Sequence, residues 1–269
     1  MKTTRLLLLC LLNACATTAA ITAPTPPSEP ATPTVQRARR RTSIDLGPYR
    51  NDATLFFEQQ ELATVNTEGA LRDQSGNTFF RGKVPIPDVK RQRYGIEYRG
   101  GAEILGFTAA AYREDFFDGV YELFGVRLGI DGTPRLLPDS TVSPIVDYAW
   151  TLAYQFGDGD IPVLSQGGSR LATADATMSY GETTLRAGVG VDVQGVQLSV
   201  GAQAAFLYGS VDIDRTPVSP PADSLEFDAF NVGGYLRARY RAAEIPIVAT
   251  VQASVGDLSG ILVQLGVRF

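Results

Sequence analysis

The sequence contains no histidine and very little lysine. Its three lysines, Lys2, Lys83 and Lys90, all precede residue 91, so arginine is the only basic residue in the remainder of the chain. A water-soluble β-protein normally covers its solvent-facing surface with charged residues, lysine prominent among them. A lipid-facing exterior would explain the shortage.

The missing histidine also bears on chemistry. Histidine is the most common general acid or base in enzymes and a frequent zinc ligand. The sequence also lacks the Gly-x-Ser-x-Gly pattern that exposes a nucleophilic serine. We therefore predict that the chain is not an enzyme, has no catalytic residues, and binds neither a metal nor a cofactor.

The scarcity of cysteine and of positive charge argues against a disulfide-stabilised protein and against a nucleic-acid-binding protein. Cys10 and Cys15 are the only cysteines, so a mature chain cut beyond them has no internal disulfide. The net charge is −5. A nucleic-acid partner is not expected, because neutralising phosphates requires a concentrated basic surface.

Residues 1–20 are predicted to form a secretory signal peptide. A basic start is followed by a leucine-rich run over residues 6–12 and then by small residues. The apolar run is too short to span a bilayer. Two cleavage readings stay open: residues 12–15 resemble a lipobox, which would place cleavage before a lipidated Cys15, and the Ala-x-Ala patterns that follow suit ordinary signal peptidase.

Residues 21–42 are predicted to be a periplasmic linker rich in proline and arginine. The proline-rich stretch 24–34 should sample extended polyproline conformations. The arginine run 37–41 is either a solvated charge run or a contact for anionic lipid, a periplasmic polymer or the acidic patch of a partner.

Residues 43–92 give mixed signals. Apolar clusters occur at residues 55–57 and 79–80, and residues 72–77 have the composition of a turn. Three alternatives stay open for this segment: a periplasmic cap, a plug, or one more hairpin of a barrel.

From residue 93 to residue 269 the dominant pattern is alternation with a period of two, which is typical of β-strands. Each segment has roughly the length that a tilted strand needs to cross the hydrocarbon layer. The pattern predicts ten strands, with eight or twelve as alternatives. The predicted strands span residues 93–100, 103–113, 118–130, 144–157, 169–180, 183–194, 196–212, 226–240, 245–256 and 259–269.

The composition of the two strand faces favours a membrane barrel. One face is apolar, while the other is mainly glycine, glutamine, serine and threonine, which suits a cramped polar interior. Gln194 and Gly195 are predicted to form a two-residue hairpin turn, and Gly188 and Gly190 to leave room inside the barrel. We therefore predict an all-β, antiparallel, transmembrane up-and-down β-barrel.

The last strand carries a family resemblance. Its apolar residues alternate along residues 261–269 and the chain ends on phenylalanine. This pattern resembles the assembly signal of bacterial outer-membrane β-barrel proteins, which implies a place in the outer membrane of a Gram-negative cell, contact with outer-membrane lipids, and recognition by the barrel insertion machinery. The residues that carry the resemblance are Ile261, Val263, Leu265, Val267 and Phe269.

The resemblance also implies a topology. In that class the C-terminus lies in the periplasm. The connections at residues 131–143 and 213–225 should then face the cell exterior, and residues 158–168 should form a long periplasmic connection.

Several charged residues fall on faces predicted to point inward. An unpaired charge there would be costly, whereas paired charges form a network. The residues are Asp147, Arg186, Asp192, Arg237 and Arg239. They are interpreted either as a structural salt-bridge plug or as a constriction that selects small solutes by charge.

Two functions follow from these features. The first is a structural, anchoring or interaction role in the cell envelope, as a subunit of a larger machine for adhesion, motility or secretion that binds a partner through residues 24–42. The alternative is a narrow channel for small solutes.

Overall fold

The computed structural model describes residues 49–72, 78–164, 170–213, 225–241 and 245–269. The predicted signal peptide, the lipidation at Cys15 and the linker at 21–42 lie outside the described residues. No helix long and apolar enough to cross a membrane occurs within the described ranges.

Ten antiparallel strands form a closed ring in which each strand pairs with its neighbour in sequence and the first pairs with the last. This confirms the predicted fold class and strand number. The strands are β1 (Arg50–Arg72), β2 (Thr78–Gly101), β3 (Gly106–Phe116), β4 (Tyr121–Gly132), β5 (Val142–Leu164), β6 (Arg170–Val193), β7 (Val196–Ile213), β8 (Leu225–Tyr240), β9 (Ile247–Gly256) and β10 (Leu258–Arg268).

The strand faces are inverted relative to a soluble protein. Along β8, Asn231, Arg237 and Arg239 are buried, whereas Phe230 and Leu236 are exposed. The same alternation around the ring produces an apolar outer belt. Its members include Leu55, Ile96, Phe107, Phe124, Val126, Trp150, Leu152, Val189, Val200, Phe206, Val251, Val263 and Leu265.

This arrangement determines where the protein resides. Only helices and closed barrels satisfy every backbone hydrogen bond within lipid. An even number of antiparallel strands with an apolar belt outside and polar residues inside is the architecture of outer-membrane barrels. The protein is an outer-membrane β-barrel.

Local sequence signals predicted the C-terminal strands well. The turn between β6 and β7 consists of Gln194 and Gly195, as predicted, and both have positive φ angles of 51° and 89°. Positive φ at both central residues is what the type I′ hairpin turn requires. In β10, Ile261, Val263 and Leu265 face outward.

The start of the barrel differs from the prediction at residue 93. Residues 50–72 form β1 and residues 78–101 form β2, so the extra-hairpin alternative describes this segment. In β1 the inward face includes Asp52, Phe56 and Glu58, while Leu55 and Phe57 point outward. Because apolar residues occur on both faces of β1, the alternation of apolar and polar residues is hidden. The sequence pattern therefore did not reveal this strand.

The two strands predicted at 169–180 and 183–194 are also wrong as separate elements, because they form the single strand β6. The residues of the predicted break belong to this strand. Gly181 faces outward, and the buried side chain of Glu182 faces inward. The prediction omitted β1 and counted β6 twice. The predicted number of strands was therefore right, although two of the ten strands were assigned to the wrong residues.

The barrel has two distinct ends. We call the end that carries the start of β1 and the close of β10 the terminal end, and the opposite end the far end. The connection between β4 and β5, predicted to face outward with residues 131–143, lies at the terminal end. Residues 158–164 are strand rather than a periplasmic connection, because β5 and β6 continue together toward the far end. The connection between β7 and β8 lies at the far end, so the prediction that residues 131–143 and 213–225 both face the cell exterior is wrong: the two connections lie at opposite ends of the barrel.

Strands of unequal length shape the far end. The hairpin of β9 and β10 turns early, at Asp257, and beyond it β1 pairs directly with β8 over Asn66–Glu68. Beyond the turn of β3 and β4, residues 83–90 of β2 pair with β1 alone among the described strands. This edge carries Pro85 and Pro87, which lack the N–H group that an added strand would need.

The interior of the far half is an apolar cluster, which we call the apolar plug. Phe116 lies at its centre, with ring centroids 5.3 Å from Tyr180 and 6.4 Å from Phe227. Its other members are Leu62, Val65, Val89, Tyr121, Leu123, Ala176, Met178, Ala205, Leu207, Val211, Ala229 and Leu258. The lumen is therefore blocked by packed side chains near the far end.

Phe116→Ala is expected to lower the free energy of unfolding by about 3–5 kcal/mol, because the substitution leaves a cavity in a packed core. Urea unfolding in lipid vesicles, followed by the fluorescence of the single tryptophan Trp150, measures this change. Phe107→Ala is the control: Phe107 faces outward, where lipid fills the vacated space, so its cost should be smaller. Equal losses in the two variants would show that the far end is not a packed core.

Candidate functional site

Between the apolar plug and the terminal end, the interior is filled by arginine and carboxylate side chains. They come from inward positions of β1 to β6 and of β8, and they join neighbouring strands as well as strands that are apart in the ring. Three clusters can be distinguished, and we name them after their acidic members.

The Glu182 cluster lies directly beside the apolar plug. Arg91 donates to both carboxylate oxygens of Glu182, at 2.7 and 3.0 Å, and Arg93 donates to the same carboxylate. Arg93 also forms an ion pair with Glu114, at 3.1 Å. Tyr180 of the plug donates to Glu114, which connects the ionic and apolar layers. Strands β2, β3 and β6 are joined through this cluster.

Arg127 extends the Glu182 cluster toward the terminal end. Its guanidinium donates to Glu97 at 2.9 Å and to Glu58 at 3.4 Å. The same group lies 5.0 Å from the ring centroid of Phe56 and 5.8 Å from that of Tyr112. Contacts of a cation with aromatic faces add to the ion pairs, and the rings occupy space that water would otherwise fill.

The Asp147 cluster lies nearer the terminal end and joins β5, β6, β7 and β8. Asp147 accepts hydrogen bonds from Ser199 at 2.8 Å, Tyr235 at 3.1 Å, Arg237 at 3.3 Å and Arg186 at 3.4 Å. The backbone must leave space for Tyr235: a Cβ atom at residue 188 would lie 2.4 Å from its hydroxyl oxygen. Gly188 therefore makes room inside the barrel, as the sequence predicted.

The Asp52–Asp131 cluster fills the terminal end. Arg99 donates through Nε to Asp131 at 2.7 Å, and Arg239 bridges Asp131 and Asp52, with N–O distances of 3.8 Å to each. Arg241 donates to Asp52 as well. Arg99 comes from β2, Arg239 from β8 and Arg241 from the residue directly after β8, so this cluster spans the lumen.

Little space remains between the clusters. A cavity of about 90 Å³ is enclosed by side chains of all three clusters, Arg127, Glu182 and Arg237 among them. The apolar plug lies between this cavity and the far end. Within the part of the barrel that the structure describes, the interior therefore has no continuous wide passage. Its chemistry is that of guanidinium and carboxylate groups bound to one another.

The residues predicted from sequence divide among these clusters. Arg186 and Arg237 both contact Asp147, while Arg239 belongs to the Asp52–Asp131 cluster. Asp192 has a local role: its carboxylate accepts from the backbone N–H of Gly195 and from the Gln197 side chain. It stabilises the hairpin turn.

The Glu182 cluster was missed by the sequence analysis. Glu182 fell in a predicted break between strands, Arg91 fell in the unassigned segment before residue 93, and Arg93 was the first residue of the strand predicted at 93–100. A signal was present, because Val89, Arg91 and Arg93 alternate with Lys90 and Gln92.

No group of three side chains suited to holding a metal ion occurs among the described residues.

Comparisons with known proteins return barrels of the outer membrane. The outer-membrane protease OmpT from Escherichia coli is 9% identical, with a TM-score of 0.35 over 82% of this chain and 96% of that chain. The translocator domain of the autotransporter NalP from Neisseria meningitidis is 10% identical, with a TM-score of 0.39 over 81% and 88%. The transport unit of the autotransporter AIDA-I from Escherichia coli is 10% identical, with a TM-score of 0.29 over 86% and 92%.

Sequence comparisons return no counterpart: neither a family model nor a curated protein sequence matches the chain. Structural likeness at such low identity does not carry over an activity, a substrate or a partner.

One prediction from the sequence is corrected by these comparisons. We predicted from the absence of histidine that the chain is not an enzyme. That prediction is wrong, because it excluded enzymes as a class. OmpT, one of the structures that resemble this chain, is a protease. A small barrel in the outer membrane can therefore carry catalysis, and the fold does not exclude it.

Glu182→Ala is expected to lower the free energy of unfolding by about 3–5 kcal/mol, because it leaves the buried guanidinium groups of Arg91 and Arg93 without their shared partner. Urea unfolding in vesicles measures the loss. Asp212→Asn removes an exposed carboxylate and should change stability by no more than about 0.5 kcal/mol. A Glu182→Ala variant as stable as the wild type would rule out an energetic role for the cluster.

Proposed function

We propose that this protein is a closed outer-membrane anchor that carries an N-terminal arm to a partner in the cell envelope. The observation that carries the proposal is the filled lumen. A barrel whose interior is filled by packed side chains and ion pairs is suited to anchoring a protein in the membrane rather than to passing solutes.

The two halves of the interior support this proposal in different ways. At the far end, Phe116, Tyr180 and Phe227 pack against one another and exclude water. Toward the terminal end, each carboxylate of the three clusters contacts more than one arginine or polar side chain. Opening a passage would require breaking buried ion pairs, which costs several kcal/mol for each pair.

The position of the first residue of β1 is compatible with a periplasmic arm. Strand β1 begins at Arg50 at the terminal end, beside Arg268 at the close of β10. With the C-terminus in the periplasm, as the sequence resemblance implies, β1 starts on the periplasmic side of the barrel. The arginine run at residues 37–41 would then meet an acidic surface of a periplasmic or envelope protein.

The partner belongs, in this proposal, to a larger envelope machine for adhesion, motility or secretion. The alternative function is the narrow channel for small solutes. It requires that the enclosed cavity connect to both ends of the barrel, and the apolar plug is the barrier to that connection.

A conductance measurement separates the anchor from the channel. The purified, refolded protein is expected to be silent in a planar bilayer, and so is the Arg237→Ala, Arg239→Ala double variant, because the apolar plug is intact in both. Single-channel recording at matched protein density provides the test, with a heat-modifiable gel shift to show that each sample is folded. Steady conductance that the double variant alters would establish the channel and remove the anchor proposal.

A pull-down from solubilised membranes tests the arm. Deleting residues 24–42 is expected to release a protein that co-purifies with the full chain. Replacing Arg37, Arg39, Arg40 and Arg41 by glutamine, which keeps the length of the arm, is expected to have the same effect, because the proposed contact is electrostatic. Unchanged co-purification in both variants would contradict a role for the arm in binding.

A further inference from the structure

Three arginines line one side of the enclosed cavity, and we call them the arginine wall. They are Arg186 of β6 and Arg237 and Arg239 of β8. Arg237 and Arg239 occupy successive inward positions of the same strand, and each is only 6% exposed. Positive charge is therefore concentrated on this side of the cavity, away from bulk water.

Two members of the arginine wall converge on one carboxylate oxygen. Oδ1 of Asp147 accepts from Arg186 at 3.4 Å and from Arg237 at 3.3 Å. Hydrogen bonds between a guanidinium and a carboxylate are usually shorter, about 2.7–2.9 Å. The same carboxylate also accepts from Ser199 and Tyr235. Asp147 is therefore shared by two guanidinium groups and two hydroxyl groups.

The arginine wall has buried N–H groups without acceptors. Nε and Nη1 of Arg239 have no hydrogen-bond partner among the described residues, and neither has Nε of Arg186 or of Arg237. The nearest carboxylates to Arg239, those of Asp52 and Asp131, lie 3.8 Å away. A buried donor without an acceptor is costly, so such groups normally have a partner.

The carboxylates on the rest of the cavity surface are bound by arginines outside the wall. They are Glu58, Glu97, Asp131 and Glu182, and the arginines that bind them are Arg91, Arg93, Arg99 and Arg127. Within the part of the chain that the structure describes, Asp147 is thus the one carboxylate that accepts hydrogen bonds from the arginine wall. Three guanidinium charges face one such carboxylate, which leaves an excess of two positive charges.

We propose that the cavity binds one doubly charged tetrahedral oxyanion, sulfate or hydrogen phosphate, against the arginine wall. Guanidinium groups suit such ions because their N–H groups match the spacing of the oxygens. Water would supply acceptors but would not neutralise the excess charge, and an uncompensated buried charge is costly. A dianion does both.

The size of the cavity limits the ligand to a free ion. Its volume is about 90 Å³. One water needs about 10–15 Å³, so the cavity has room for an ion of five heavy atoms. Sites for larger organic ligands occupy roughly 300–1,000 Å³. A nucleotide or a lipid headgroup is therefore too large.

The ion enters from the terminal end, because the apolar plug lies between the cavity and the far end. The sequence resemblance implies that the terminal end faces the periplasm, where small anions are in solution. The site lies in the lumen, so it does not depend on whether residues 24–42 bind a partner.

Equilibrium dialysis of radiolabelled sulfate, and separately of radiolabelled phosphate, against the refolded full chain in a nonionic detergent tests the proposal. The wild type is expected to bind one ion per barrel in a saturable manner. Arg239→Gln and Arg186→Gln should each weaken binding about ten- to hundredfold, the effect of losing one hydrogen bond from a charged group. The heat-modifiable gel shift verifies folding, and Arg186, which is less buried than Arg239, provides a variant that tolerates substitution better.

Arg241→Gln is the matched control. Arg241 is also a buried arginine near the terminal end, but it binds Asp52 and does not line the cavity. Its loss removes a positive charge without removing a donor to the ion, so binding should weaken by a smaller factor than in Arg239→Gln.

Four outcomes would overturn the proposal. These are no saturable binding of either ion by the wild type, unchanged affinity in both Arg239→Gln and Arg186→Gln, equal losses in Arg239→Gln and Arg241→Gln, and binding of chloride with the same affinity as the two oxyanions.

Discussion

The barrel depends on the sharing of one buried carboxylate by two arginines. Glu182 of β6 binds Arg91 and Arg93 of β2 across the lumen, so strands that are not neighbours in the ring are held at a fixed distance. Buried charges of this kind are tolerated only as complete sets, because removing one member leaves the others unpaired in a site of low dielectric. The wall and the lumen are therefore stabilised together.

Function follows from how the remaining interior is divided. The far half contains aromatic and aliphatic side chains, and the terminal half contains the Asp147 and Asp52–Asp131 clusters. An apolar layer excludes water, and an ionic layer links strands that are apart in the ring, so both layers fill the interior with side chains bound to one another. The apolar belt is then the surface that the barrel presents to its surroundings.

The sequence by itself determined the class of the protein. The alternation of apolar and polar residues from β7 to β10, the absence of lysine there and the Gln194-Gly195 turn sufficed to predict an antiparallel membrane barrel. These signals are local, because a strand's period and a hairpin's turn are encoded within a few neighbouring residues. Asp147, Arg186 and Arg237 could be placed in the interior for the same reason.

Only the tertiary structure decided which residues meet. Phe56 interrupts the alternation of β1, and Glu182 follows a glycine that resembles a strand break, so the sequence placed neither in the barrel wall. Their roles depend on partners far away in the chain: Phe56 lies under Arg127, and Glu182 binds Arg91. The closure of the ring fixes the strand register, and the register, which no local pattern specifies, brings these side chains together.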